Sequence, residues 1–70
     1  MTSGINIVVN GEPREVPAGS GIPEVLKHLG LPNDRVAIER NLEILPRSQW
    51  ATTAVQPGDR LEIVHLVGGG

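Results

Sequence analysis

Gly68, Gly69 and Gly70 close the sequence, and among its residues they carry the most unusual chemical possibility. Glycine lacks Cβ, so such a run can thread, extended, through a channel too narrow for side chains. At about 3.3–3.6 Å per residue, three glycines carry a terminal carboxylate up to roughly 10 Å beyond the last folded residue. A carboxylate is a resonance-stabilised anion with no good leaving group, so it reacts only after activation, most simply by adenylation with ATP. The same three residues also read as an ordinary frayed terminus. The chain offers no ATP site of its own, because no glycine-rich loop follows a strand and opens a helix.

The remaining candidates are weaker. Cysteine is absent, which removes disulfides, thiolate metal sites and a cysteine nucleophile together. His28 and His65 are the only imidazoles; they lie far apart in sequence and outside any HExxH spacing, so no metal site is expected. Ser3, Ser20 and Ser48 lack the G-x-S-x-G context of a hydrolase nucleophile, and Ser20 and Ser48 read better as helix caps. Glu39 with Glu43, and Asp34 with Asp59, could be paired as carboxylates, yet their turn and edge positions read as solvated surface. No catalytic side chain is expected.

Composition narrows the classes further. Six basic against eight acidic side chains give a net charge of -2, too little positive charge to neutralise nucleic-acid phosphates. Trp50 is the sole aromatic residue, so no base-stacking platform exists. No aliphatic run approaches the length of a membrane span, and Met1-Thr2-Ser3-Gly4 has no signal-peptide character, so a cytoplasmic location is expected. Seventy residues make one domain, whose core supplies about 3–5 kcal/mol without staples. That margin favours a carrier or a binding module over an enzyme with a buried polar cleft.

The elements that must hold the glycine run can be read from pattern. Ile5–Val9 is a β-branched strand with Ile5, Ile7 and Val9 on one face. Asn10-Gly11 is a hairpin turn, and Pro13–Val16 returns as an edge strand. Ile22, Val25, Leu26 and Leu29 fall at helical spacing, started by Ser20 or Gly21 and stopped by Gly30, Leu31 and Pro32. Val36–Arg40 is a strand, followed by a turn at Asn41 and a short Ile44-Leu45 strand. Ser48 could cap a single helical turn, Gln56-Pro57-Gly58-Asp59 is a type II turn, and Arg60–Leu66 is the last strand. One helix on one face of a mixed four- to five-stranded sheet is an α+β fold, here a ubiquitin-like β-grasp. Residues 1–67 form this domain and residues 68–70 a flexible tail. With Leu61 and Ile63 facing the helix, Val8, Val64 and Leu66 face outward below the glycines, as a patch on which a partner could dock.

The stretch Ile44-Leu45-Pro46-Arg47-Ser48-Gln49-Trp50-Ala51, then Pro57-Gly58-Asp59-Arg60-Leu61-Glu62-Ile63-Val64-His65, then Val67-Gly68-Gly69-Gly70, resembles the ThiS family of thiamine-biosynthesis sulfur carriers. The likeness runs along essentially the whole chain, and the P-R-S-x-W run together with the glycine ending makes it specific. It implies that Gly70 is adenylated by an E1-like, ThiF-like adenylyltransferase using ATP and magnesium, while the carrier binds no cofactor itself. Sulfur from a cysteine-desulfurase persulfide, or another donor, then displaces AMP to leave a thiocarboxylate. A ThiG-like thiazole synthase takes that sulfur into the thiazole ring of thiamine, with Gly68 and Gly69 threading into each partner. Two departures stand out: the family often has Asn-Gly where this chain has Asn41-Leu42, and three glycines end the chain where two suffice. The molybdopterin synthase small subunit and ubiquitin-like protein modifiers share the fold and tail, and a noncovalent β-grasp binding module would not need the tail.

Overall fold

The computed structural model describes residues 3–66; the glycine run and its expected flexibility lie outside the described residues. Strand β1 (Gly4–Val9) turns through Asn10 and Gly11, at φ 50° and 83°, into β2 (Glu12–Pro17). Positive φ at both turn residues matches the right-handed twist of the flanking strands. Helix α1 (Ile22–Leu29) crosses one face of the sheet and leads to β3 (Val36–Arg40) and the two-residue β4 (Glu43–Ile44). A 3₁₀ turn at Arg47–Gln49 lies in the long connection to β5 (Arg60–His65).

The strand order is β2-β1-β5-β3-β4, with β5 parallel to β1 and antiparallel to β3. This is the expected β-grasp, and it puts the last strand in the middle of the sheet rather than at an edge. Proline 13 sits on the edge strand β2, where its missing N–H breaks no ladder.

The helix buries Ile22, Val25 and Leu26 against Ile7, Ile38 and Leu61 of the sheet, all but fully removed from water. Its start belongs to Gly21, whose N–H donates to Glu24 Oε1 at 3.0 Å. Ser20 is not the cap: it is buried, and its hydroxyl donates to the Pro17 carbonyl at 2.7 Å, closing the loop before the helix. The end is a Schellman motif, in which Gly30 at φ 72° lets Leu31 N–H reach Leu26 O at 2.8 Å. Ser48 likewise caps nothing, since the 3₁₀ turn begins after Pro46 and Ser48 lies inside it.

The short strand β4 sits one residue earlier than its hydrophobic pair suggests. Leu45 still donates to Ile38 O at 2.8 Å, but its side chain turns in to pack on the core. Trp50 anchors the long connection: the ring is buried, and Nε1–H donates to Leu45 O at 3.0 Å. The Arg47 guanidinium lies over that ring at 4.5 Å and also donates to the Asn33 carbonyl. The P-R-S-x-W run is thus a structural lock that ties the connection to the helix exit.

Candidate functional site

The site begins with β5, because that strand delivers the C-terminal segment. Its alternate residues bond to opposite neighbours. Leu66 N–H reaches Arg35 O at 2.7 Å and Asn41 N–H reaches Arg60 O at 2.8 Å on the β3 side. On the β1 side, Val8 N–H reaches Asp59 O at 2.9 Å and Asn10 N–H reaches Leu61 O at 2.9 Å. From Asp59 to Leu61 the backbone is bonded along both edges, which makes the start of β5 the firmly held part of the strand.

Asp59 fixes the base of that platform and is buried, not solvated as its turn position suggests. The type II turn forms, with Asp59 N–H to Gln56 O at 3.0 Å and Gly58 at φ 85°, but it aims the carboxylate inward. There it accepts from Gln56 N–H and Arg40 Nε at 2.9 Å each and from Asn41 Nδ2 at 3.1 Å. Burial alone would raise its pKa; the Gln56 amide, the Asn41 carboxamide and the Arg40 guanidinium outweigh burial and hold it below the ordinary carboxylate value.

The outer sheet face, opposite the helix, carries the expected patch in two parts. Val64 and Leu66 are a little over half exposed, at 56% and 54%, near the end that leads to the glycines. Val8 is half-buried and pairs with Arg60, while Val64 pairs with Ala37. Val8 therefore lies four positions back along β5 from Val64, about 13 Å at strand rise. Between them Glu39 and Glu62 face each other directly across β3 and β5, and both are exposed.

Two apolar residues on this side were not in the expected set. Ile44 pairs with Glu39 and is 75% exposed, and Leu42 is 90% exposed at φ 72°. Leu42 and Val8 line one shallow groove with Arg60 and Glu62. The signal for Leu42 was present in the sequence, as an apolar residue in second place of an Asn-led turn. His28 and His65 are both exposed and separate, and Ser3 is exposed. Ser3 and His28 line one shallow pocket with Glu15, and His65 lies apart from it on β5. No described helix is long and apolar enough to cross a membrane.

The chain matches the ThiS family over residues 7–70. It is 32% identical to the sulfur carrier protein ThiS of Escherichia coli over 66 residues, covering 94% of this chain and 100% of that one. It is 47% identical over 66 residues to a thiazole synthase of Paramagnetospirillum magneticum, covering 94% of this chain but only 20% of that protein. A thiazole synthase of Magnetococcus marinus matches at 36% identity, again over 20% of its length. This chain thus spans about one fifth of these two relatives. The crystal structure of the thiamine biosynthesis protein ThiS from Geobacter metallireducens superposes with a TM-score of 0.80 at 33% identity, covering 94% of this chain and 100% of that one. By family match, whole-length relative and fold together, the chain belongs to the ThiS family of sulfur carriers of thiamine biosynthesis.

Proposed function

We propose that Gly70 is the working residue: its carboxylate is adenylated, converted to a thiocarboxylate, and spent as the sulfur donor for the thiazole ring of thiamine. The observation that supports this most is that the central strand of the sheet is the element that precedes Gly68–Gly70 in the sequence of a chain of the ThiS family. An E1-like adenylyltransferase with ATP and magnesium makes the acyl adenylate and releases pyrophosphate. A persulfide sulfur from a cysteine desulfurase then attacks the acyl carbon, AMP leaves, and a thiol cleaves the remaining S–S bond. Sulfur suits the task because it is a softer and stronger nucleophile than oxygen, and the acyl group both carries and releases it.

A thiazole synthase is the acceptor in this reading. Its support is that two thiazole synthases each include a stretch, one fifth of their length, similar to this chain. Val8, Val64 and Leu66 form the docking face, and Gly68 and Gly69 are the thin arm that enters the partner's site. The test is the intact mass of the purified chain after incubation with the activating enzyme, ATP, magnesium and a sulfur source. Replacement of one terminal oxygen by sulfur is expected. A chain that stays unmodified while binding its partners equally well without Gly69 and Gly70 would instead be a noncovalent module.

A further inference from the structure

The turn between β1 and β2 does more than its geometry requires. Glycine at position 10 would close the same type I′ turn. Yet the Asn10 side chain reaches β5: Ile63 N–H donates to Asn10 Oδ1 at 2.7 Å, and Asn10 Nδ2 donates to Ile63 O at 3.2 Å. The backbone pairing of β1 with β5 runs only to Val9 and Leu61, with Asn10 N–H on Leu61 O. The carboxamide therefore supplies the acceptor and the donor that further β1 backbone would have offered had the chain not turned away into β2. Past Ile63, among the described residues, β5 is bonded along its β3 edge alone, through Leu66 N–H to Arg35 O.

We infer that Asn10 is a positioning residue for delivery of the C-terminal segment: its carboxamide fixes the direction in which β5 leaves the fold, without touching the reacting carboxylate. A strand end held on one edge pivots, and that freedom must be surrendered when the tail enters a partner's channel. Holding Ile63 on both edges cuts the stretch left to pivot, among the described residues, to Val64–Leu66 and so reduces that freedom beforehand. The effect falls on association and not on the chemical step. The inference rests on the carrier reading for its kinetic part and on the Asn10–Ile63 bonds alone for its structural part.

N10G tests it, because glycine keeps the positive φ of the turn and deletes only the carboxamide. Amide exchange at Ile63 is expected to quicken about tenfold or more, and by more than at the helix amides of Val25 and Leu26, because both Asn10–Ile63 hydrogen bonds are lost. With the activating enzyme and ATP, KM for the carrier rises severalfold while kcat is retained. N10D, which keeps the acceptor for Ile63 N–H but not the donor, falls between. Unchanged exchange at Ile63 overturns the clamp itself, and quickened exchange with wild-type KM overturns its role in delivery. A wild-type chain that is no substrate at all overturns the carrier reading and the inference with it, a result visible before any variant is made.

Discussion

Arg40 Nε donates to Asp59 Oδ2 at 2.9 Å from the far end of β3, and the carboxylate that receives it is the residue from which β5 springs. Asp59 is 6% exposed and has Gln56 N–H and Asn41 Nδ2 as its other partners, so its charge is favoured in the fold over the unfolded chain. The folded pKa therefore lies below the ordinary value near 3.8. The stability Asp59 contributes is fully present above that ordinary value, and it is lost as pH falls through the lower, folded pKa. D59N, which keeps shape but loses the charge, should cost about 2 kcal/mol at pH 7. Thermal melts from pH 2 to pH 7 should show the variant losing less stability than wild type over the acid range. Parallel curves would mean that Asp59 does not carry the acid sensitivity.

The Asn41-Leu42 turn holds φ values of 52° and 72°, the same left-handed pair that Asn10-Gly11 adopts. Leucine pays a steric penalty there of about 1–2 kcal/mol, because its Cβ approaches the neighbouring carbonyl. At 90% exposure it has no packing to offset that strain. L42G should stabilise the domain by about 0.5–1 kcal/mol after allowing for glycine's greater unfolded freedom. Urea unfolding should show a higher midpoint at an unchanged slope, and a lower midpoint would show that Leu42 is held by contacts.

These two sites also mark the limit of what could be read from residues alone. The helix was legible because Ile22, Val25, Leu26 and Leu29 repeat at its period and Gly30 demands a left-handed stop. The place of β5 beside β1 follows from β-grasp connectivity, in which a hairpin, a helix crossover and a returning last strand succeed one another. The burial of Asp59 is not legible in its turn, because turn type fixes the backbone but not the side that the carboxylate faces; Arg40 and Asn41, arriving from β3 and its turn, make burial tolerable. The sequence shows Asn10 only as turn chemistry, since its partner Ile63 is 53 residues away and no local pattern joins them. Ser20 and Ser48 looked like caps because serine favours that position, but a Pro17 carbonyl and the Pro46 start took precedence.

The P-R-S-x-W lock can be tested through its two polar contacts. W50A removes a buried ring and the Nε1–H bond to Leu45 O, at a cost of about 3–5 kcal/mol, comparable to the whole stability of so small a domain. W50A should be largely unfolded by circular dichroism at 25 °C. R47A removes only the guanidinium over the ring and its bond to the Asn33 carbonyl. It should stay folded with a loss of about 1 kcal/mol. A fully folded W50A would deny the ring its anchoring role.

The outer face is open to a direct test because its apolar members contribute little to the core. Val64 and Leu66 are each more than half exposed, so V64D with L66D should leave the melting temperature almost unchanged. Charge placed in the apolar centre of an interface is costly to desolvate, so affinity for the activating enzyme or the thiazole synthase should fall at least tenfold by calorimetry. V8D should weaken binding as well, and by less, since Val8 is half-buried and lies four positions back beside Arg60. Normal binding of both partners by the double variant would make this face ordinary surface.

Adenylation needs the Gly70 carboxylate to reach the α-phosphorus of an ATP held by the partner, so the distance from β5 to the chain end should matter more than any neighbouring side chain. One alanine added after Gly70 moves the carboxylate by about 3.5 Å and puts a Cβ in the channel. Deleting Gly70 shortens the arm by the same amount but keeps a glycine end. Thiocarboxylate formation should be lost in the extended chain and sharply reduced in the shortened one. His28 and His65 are exposed and the proposed chemistry gives neither a proton to move, so H28A and H65A should be activated at the wild-type rate. S48A should behave the same way, because Ser48 lies within the 3₁₀ turn and caps nothing. ATP-dependent mass gain in the presence of the activating enzyme and a sulfur source checks all five variants in one format. Full conversion of the extended chain, or loss of conversion in a folded histidine variant, would show that the carrier contributes more than the position of its carboxylate.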